Sequence, residues 1–88
     1  MHNMFDVLTI KEVKITIGGW CKQLRKEANM SQQELADELA MSRITISNLE
    51  NGDNCTLDTL LKVLQYYDQM QGLYQFINQK SEVTDSLY

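Results

Sequence analysis

The sequence predicts an all-α fold of five helices, and three observations carry that prediction. Proline is absent from all 88 residues, and glycine occurs only four times. Apolar residues recur at intervals of three and four, the helical period, rather than in alternation. The runs are separated by short polar stretches whose last residue is a good helix cap, as at Ser31, Ser42 and Thr56. A single domain of this size hides only about 60 to 65% of its unfolded surface, so its core is thin and extra burial in a dimer would help it.

The first helix is expected from about Ile10 to Ala28. Thr9 with Glu12 fits a capping box, and Ile10, Val13, Ile17, Cys21 and Leu24 follow at helical spacing. A competing reading exists for residues 10–16. Val13 to Ile17 alternates apolar and polar like a short strand, and Gly18-Gly19 cost a helix interior about 2 kcal/mol together. That end is therefore either helix or an extended arm. Residues 1–9 are expected to be a flexible N-terminal segment, with His2 and Asn3 in a frayed end.

Ser31 to Gly52, SQQELADELAMSRITISNLENG, reads as two short helices joined by a tight turn. Ser31 and Glu34 form a second capping box, and Leu35, Ala36 and Leu39 share one face. The run stops at Ala40-Met41. Ser42 is the next N-cap, Ile46 and Leu49 make a new apolar stripe, and Asn51-Gly52 closes it where glycine takes a left-handed backbone. Asp53-Asn54-Cys55 is a loop. Thr56 then caps a fourth helix whose Leu57, Leu60, Leu61 and Leu64 should roof the core, each buried leucine being worth about 1.5 to 3 kcal/mol.

Asp68 followed by Gln71 opens a fifth, short helix. Tyr67, Met70, Leu73, Tyr74, Phe76 and Ile77 crowd into this stretch and are candidates for a subunit interface; the alternative is that they complete the monomer's core. The domain is expected to span residues 10–78, with 79–88 a polar tail ending in Leu87-Tyr88.

The helix-turn-helix at residues 32–51 resembles the phage repressor and Cro-like DNA-binding family, which includes xenobiotic-response-type bacterial regulators and some antitoxins. The residues that carry the resemblance are Gln32, Glu34-Leu35-Ala36, Leu39, Ser42, Thr45-Ile46-Ser47 and Leu49-Glu50-Asn51-Gly52. It continues outward to Ile17-Gly18, Leu24-Arg25-Lys26, Thr56-Leu57 and Leu60-Leu61, about two thirds of the chain. One departure is Ala40, where the family's turn usually has glycine; alanine in positive-φ geometry costs about 1 kcal/mol.

The resemblance implies a compact repressor-like domain whose helix 42–51 lies in the major groove of double-stranded DNA, acting as a homodimer. The face opposite Ile46 and Leu49 is Arg43, Ile44, Ser47 and Asn48. Arg43 suits guanine O6 and N7, Asn48 suits adenine, and Ile44 suits a thymine methyl. Gln32, Gln33, Ser42, Thr45, Asn51 and Lys26 are candidate phosphate contacts, Gln32 also as a brace for the reading helix, Ser42 competing with a pure capping role, and Lys26, like Lys22, either near phosphate or simply solvated. Backbone N–H groups at Gln32 and Gln33, with the helix dipole, favour an anion there. Arg25 and Glu50 are implied to form a structural ion pair between the first and third helices.

Charge works against the nucleic-acid reading as a bulk property, since the net charge is −4. Residues 1–30 carry five basic and three acidic groups, whereas residues 31–52 and 53–88 each carry a balance of −3. Attraction to phosphate must be local, and binding by one subunit modest, which favours a dimer. The acidic balance and aromatic C-terminal stretch also suit an antitoxin that holds a toxin protein while regulating its own operon.

Other classes are poorly served. The single histidine, His2, stands in the N-terminal segment, no Cys/His or Ser/His/Asp arrangement exists, and no phosphate-cradling glycine loop or metal-ligand spacing occurs. No catalysis, metal or cofactor is expected. Cys21 and Cys55 read as two reduced thiols of a cytoplasmic protein. No apolar run approaches ~20 residues, so no membrane span is expected, and MHNMFDV lacks the basic-then-apolar pattern of an export signal.

Overall fold

Four hydroxyl side chains start four helices. Thr9, Ser31, Ser42 and Thr56 each stand in extended backbone and accept a hydrogen bond from the N–H three residues on, filling a donor that the first turn leaves unpaired. The helices they open are α1 (Ile10–Glu27), α2 (Gln32–Glu38), α3 (Arg43–Glu50) and α4 (Leu57–Tyr66); α5 (Met70–Asp85) follows. The computed structural model describes residues 7–85, with side chains as far as residue 81. No strand occurs among them.

The ends of α1 to α4 repeat one device. In each, a residue with positive φ turns the chain while the next N–H reaches back to close the helix: Asn29 at 57°, Ala40 at 55°, Gly52 at 75° and Asp68 at 60°. The closing bonds are Met30 N to Arg25 O (3.2 Å), Met41 N to Ala36 O (2.9 Å), Asp53 N to Asn48 O (2.9 Å) and Gln69 N to Leu64 O (2.7 Å). This is the Schellman pattern, for which glycine is the usual residue. Only Gly52 supplies it. Asp68 therefore closes α4 rather than opening α5, a correction to its role read from sequence.

The buried core is Cys21, Leu35, Ala36, Ile46, Leu49, Val63 and Leu64, with Ile17, Leu24, Met30, Leu39, Met41, Leu60, Tyr67 and Leu73 packed around it. Residues 10–16 are helix, which decides between the two readings of that end. Its first turns overhang the core, however: Ile10 and Val13 are exposed, and burial begins at Ile17. Gly18 explains why a glycine interrupts this helix. A β-carbon there would lie 2.6 Å from the Glu50 carbonyl oxygen and closer still to that of Leu49, so α1 crosses the end of α3 almost backbone to backbone.

Two further expectations need correction. Leu57 is 69% exposed, because as the first residue of α4 it stands beyond the surface that the helix buries. The roof is Leu60, Val63, Leu64 and Tyr67 instead, with Thr59 also buried. Second, α5 is neither short nor ended at residue 78; it runs through Asn78, Gln79 and Lys80 to Asp85. Those residues are polar but contain no glycine or proline, so nothing in them breaks a helix. The expectations for residues 1–6 and for Leu87-Tyr88 lie outside the described residues.

Cys21 is buried, and burial together with the nearby charges of Glu50 and Cys55 pushes its thiol up to about 11. Cys55 is exposed, and both are free. No described residues form a group able to hold a metal ion.

Candidate nucleic-acid interface

The packing of α2 and α3 leaves one face of α3 bare. Ile46, Leu49 and Glu50 are buried, and these positions take one side of the helix at 3.6 residues per turn. Arg43 and Ile44 are exposed and Ser47 and Asn48 half-buried on the other side; Ile44 shows 63% of its surface to solvent. An apolar branched side chain gains nothing there within the monomer. The four residues expected to read bases therefore share the free face, although the structure engages them unequally.

Behind that face runs a chain of polar bonds. Arg25 Nε donates to Glu50 Oε2 at 2.7 Å and its Nη2 to Glu50 Oε1 at 2.9 Å, a two-point grip with defined orientation. Its remaining Nη1 donates to the Met30 carbonyl at 2.7 Å, on the connection into α2. Gln32 Nε2 donates to the same Glu50 Oε1 at 3.0 Å. Since its amide nitrogen is used there, the Gln32 oxygen faces outward and accepts from Arg43 Nη1 at 3.4 Å. The guanidinium at the front of α3 thus reaches, by one long surface bond, the Gln32 amide that Glu50 holds.

The electrostatics follow from this geometry. Burial pushes the Glu50 carboxyl up, but the bonds from Arg25 and Gln32 and the charges of Arg25 and Lys22 outweigh it and hold the group below its ordinary value. The Glu50 carboxylate in turn raises Arg25. Arg25 is 8% exposed and Glu50 6%. Removing either would strand a buried charge at a cost of about 3 to 5 kcal/mol.

The expected phosphate contacts are placed as follows. Ser42 caps α3, accepting from Thr45 N at 3.2 Å, and its hydroxyl lies 2.9 Å from that of Thr45. Gln33 donates to Asp37 at 2.8 Å, and Asn51 donates to Ser47 Oγ at 3.3 Å. Lys26 is exposed in the last turn of α1. Ser42, Gln33 and Asn51 lie on the surface with only these local partners, exposed bonds that water or phosphate can replace. Gln32 is expected as a brace for α3, but its partners there, Glu50 and Arg43, are not foreseen by sequence reasoning, because the turn angle that brings them together is set at Ala40, eight residues from Gln32 and three from Arg43.

Residues 22–69, the stretch from the middle of α1 to the start of α5, match the helix-turn-helix family. The chain belongs to that family, in its Cro/C1-type branch. It is similar to the protein named antitoxin HipB from Escherichia coli K12, 37% identical over 65 residues that cover 73% of this chain and 74% of the relative. A second antitoxin HipB, from Escherichia coli O6:H1 strain CFT073, is 34% identical over 84 residues, 92% of this chain and 89% of that relative. As a helix-turn-helix family member, the protein is a DNA-binding transcription regulator. The family assignment makes sense of the solvent-exposed front of α3 and of the buried Arg25–Glu50 pair behind it. No described helix is long and apolar enough to cross a membrane.

The expected subunit-interface residues separate into two groups. Tyr67 belongs to the core: its hydroxyl reaches Met30 Sδ at 3.5 Å, and its ring meets Tyr66 edge-on at 5.1 Å. Leu73 also packs inward. Met70, Tyr74, Phe76 and Ile77 are exposed, and Trp20 of α1 stands beside Phe76 across a cleft that Gln69, Gly72 and Leu73 also line.

Proposed function

We propose that this protein is a cytoplasmic repressor that binds a two-fold-related operator as a homodimer and blocks polymerase. In each half-site α3 enters the major groove. Arg43, Ile44, Ser47 and Asn48 meet base edges, while the Gln32 backbone N–H together with Gln33, Ser42, Thr45, Asn51 and Lys26 fixes the register on phosphates, the Gln32 side chain staying with Glu50 and Arg43. The observation that supports this most is the free face of α3, where Arg43 and Ile44 are exposed in front of the buried Arg25–Glu50 pair and Arg43 is free to offer two donors to guanine.

The dimer is proposed to form through α5. A helix of 16 residues is marginal alone in water and draws its stability from packing an apolar face. Here Tyr74, Phe76 and Ile77 remain more than half exposed. The radius of gyration, 15.3 Å, exceeds the ~12 Å of a compact chain this long, in keeping with an α5 that projects to meet a partner subunit.

Selection of bound sequences from a random DNA pool tests the reading. The expected result is a palindromic consensus whose half-sites are centred about one helical turn, or a multiple of it, apart. Recovery of no preferred sequence at low salt overturns it.

A second reading is that the protein also neutralises a toxin. Its support is its similarity to two proteins named antitoxin HipB, one aligned over 92% of this chain. Stoichiometric co-purification with the product of an adjacent gene whose expression alone arrests growth is the expected result. A chain that purifies alone beside such a gene product goes against it.

A further inference from the structure

We infer that Lys11, Lys14 and Lys22 of α1 form a second DNA-backbone contact that runs beside the reading helix and sets much of the salt dependence of binding. The inference rests on the DNA-binding reading and extends its contacts along α1, toward Lys11 and Lys14, from the end where Lys22 and Lys26 read from sequence as near phosphate or solvated.

The first observation is segregation of charge. At about 100° per residue, Lys11, Lys14, Lys22 and Lys26 fall within about a third of the circumference of α1, whereas Glu12 and Glu27 lie outside that arc. From Lys11 to Lys26 the row is about 22 Å long. Among the described residues the one ion pair is Arg25–Glu50, so none of these four lysines is held in a salt bridge, although Lys22 feels the Glu50 carboxylate and Lys11 and Lys14 share a cleft with Asp53. A merely solvating face gains from mixing its signs along the helix, through pairs three and four residues apart; this row forgoes them.

Position is the second observation. Lys14 Nζ donates to Asn54 Oδ1 at 2.8 Å, which ties the row to the turn that follows α3. Lys11, Lys14, Gly52, Asp53 and Asn54 line one open cleft between α1 and that turn. Lys22 stands near the Glu50 carboxylate at the end of α3, and Lys26 near the connection into α2 that Arg25 grips at Met30. The row thus spans from the exit of the helix-turn-helix to its entry, along α3. Asp53 is the one carboxylate in the cleft and opposes an anion there.

Charge balance is the third. With a net charge of −4, the domain has no general attraction to DNA, and α3 offers a single cation, Arg43. Non-specific affinity comes from neutralised phosphates, and the α1 row is the largest set of unpaired cations on one described element. Lys62 and Lys80 stand apart on α4 and α5.

The test measures binding to the selected operator, and to a copy with its guanines replaced, across a salt series. Lys11→Gln, Lys14→Gln and Lys22→Gln are combined in one variant, with Lys62→Gln/Lys80→Gln as a control. The triple variant should lower the slope of log K against log salt by about 0.9 per lost contact, roughly two to three units for each bound subunit and about five for the dimer. Both DNAs should weaken by the same factor, leaving base preference unchanged; Asp53→Asn should strengthen both. The control should leave the slope where it was. A triple variant that keeps the full slope overturns the inference while the DNA-binding reading stands, as does one that loses only capture of a protein partner. Failure of the unaltered chain to prefer any sequence removes the reading itself.

Discussion

Gly18 touches the main chain of Leu49 so closely that no other residue fits between them. A β-carbon at Gly18 would overlap the Leu49 carbonyl oxygen, whereas one at Gly19 would meet nothing within 4 Å. Two adjacent glycines in one helix therefore have opposite meanings. Gly18→Ala must push α1 off α3 and should cost about 1 to 3 kcal/mol, as overpacking does. Gly19→Ala should instead stabilise by up to about 1 kcal/mol through helix propensity alone. Thermal unfolding of the two variants checks the pair, and equal effects would mean that α1 does not cross α3 at Gly18.

The turn of the helix-turn-helix holds stored strain at Ala40, with φ at 55°. Its Cβ clashes with the neighbouring backbone in that region, and the penalty relative to glycine is about 1 kcal/mol. Ala40→Gly should raise the stability measured in urea by about that amount, less the extra entropy of the unfolded glycine. The geometry of α3 relative to α2, and hence DNA affinity, should not change.

The helix starts were legible because a capping hydroxyl is a chemical signature: Thr9, Ser31, Ser42 and Thr56 each announce one. Helix ends were less so. Three of the four left-handed closing residues are Asn29, Ala40 and Asp68, and aspartate is read more readily as the start of a helix than as the end of one. Periodicity placed α1 and α4 but not the limits of their burial. Ile10, Val13 and Leu57 continue the stripes beyond the ends of the elements they would pack against, and only the lengths of those neighbours decide it. The face of α3 was readable from two anchors, Ile46 and Leu49. The bond from Gln32 to Arg43 was not, since it depends on a turn angle and on which way one amide is held.

Glu50 gives the fold an acid limit. Its carboxyl sits below the ordinary value of 4.5 in the folded protein, so the unfolded chain takes up the proton first. The stability it contributes is complete above that ordinary value and is lost as pH falls through the folded one. Glu50→Gln, which abolishes the charge but keeps the shape, should be less stable than the unaltered protein at neutral pH, and the gap should close on acidification. Urea midpoints of both proteins between pH 7 and 3 measure this. A gap that stays constant would mean that the Arg25 grip does not depend on ionised Glu50.

The α5 interface is open to a test that spares the monomer fold. Tyr74 is 66% exposed and Ile77 51%, so a charge at either place meets solvent in the single chain but apolar surface in a pair. Tyr74→Glu and Ile77→Glu should raise the dimer dissociation constant by tenfold or more, the effect of ~1.4 kcal/mol, while helix content holds. Sedimentation equilibrium reads the first and circular dichroism the second. A protein that remains dimeric with both charges pairs through another face.

Arg43 and Gln32 should fail in different ways. Arg43→Ala removes the donors themselves and should lose about 1 to 3 kcal/mol on the selected site, with one base position relaxed. Gln32→Ala leaves those donors in place but frees the guanidinium from its 3.4 Å partner and deprives Glu50 of one bond. Affinity should fall by less, and the base preference at the Arg43 position should blur rather than vanish. In the double variant the losses should not add, because Gln32 acts on specificity through Arg43. Binding assays on the consensus and on its single-base substitutions give all three numbers. Strict additivity would show that Gln32 contacts DNA independently and that the bond between the two side chains carries no part of the readout.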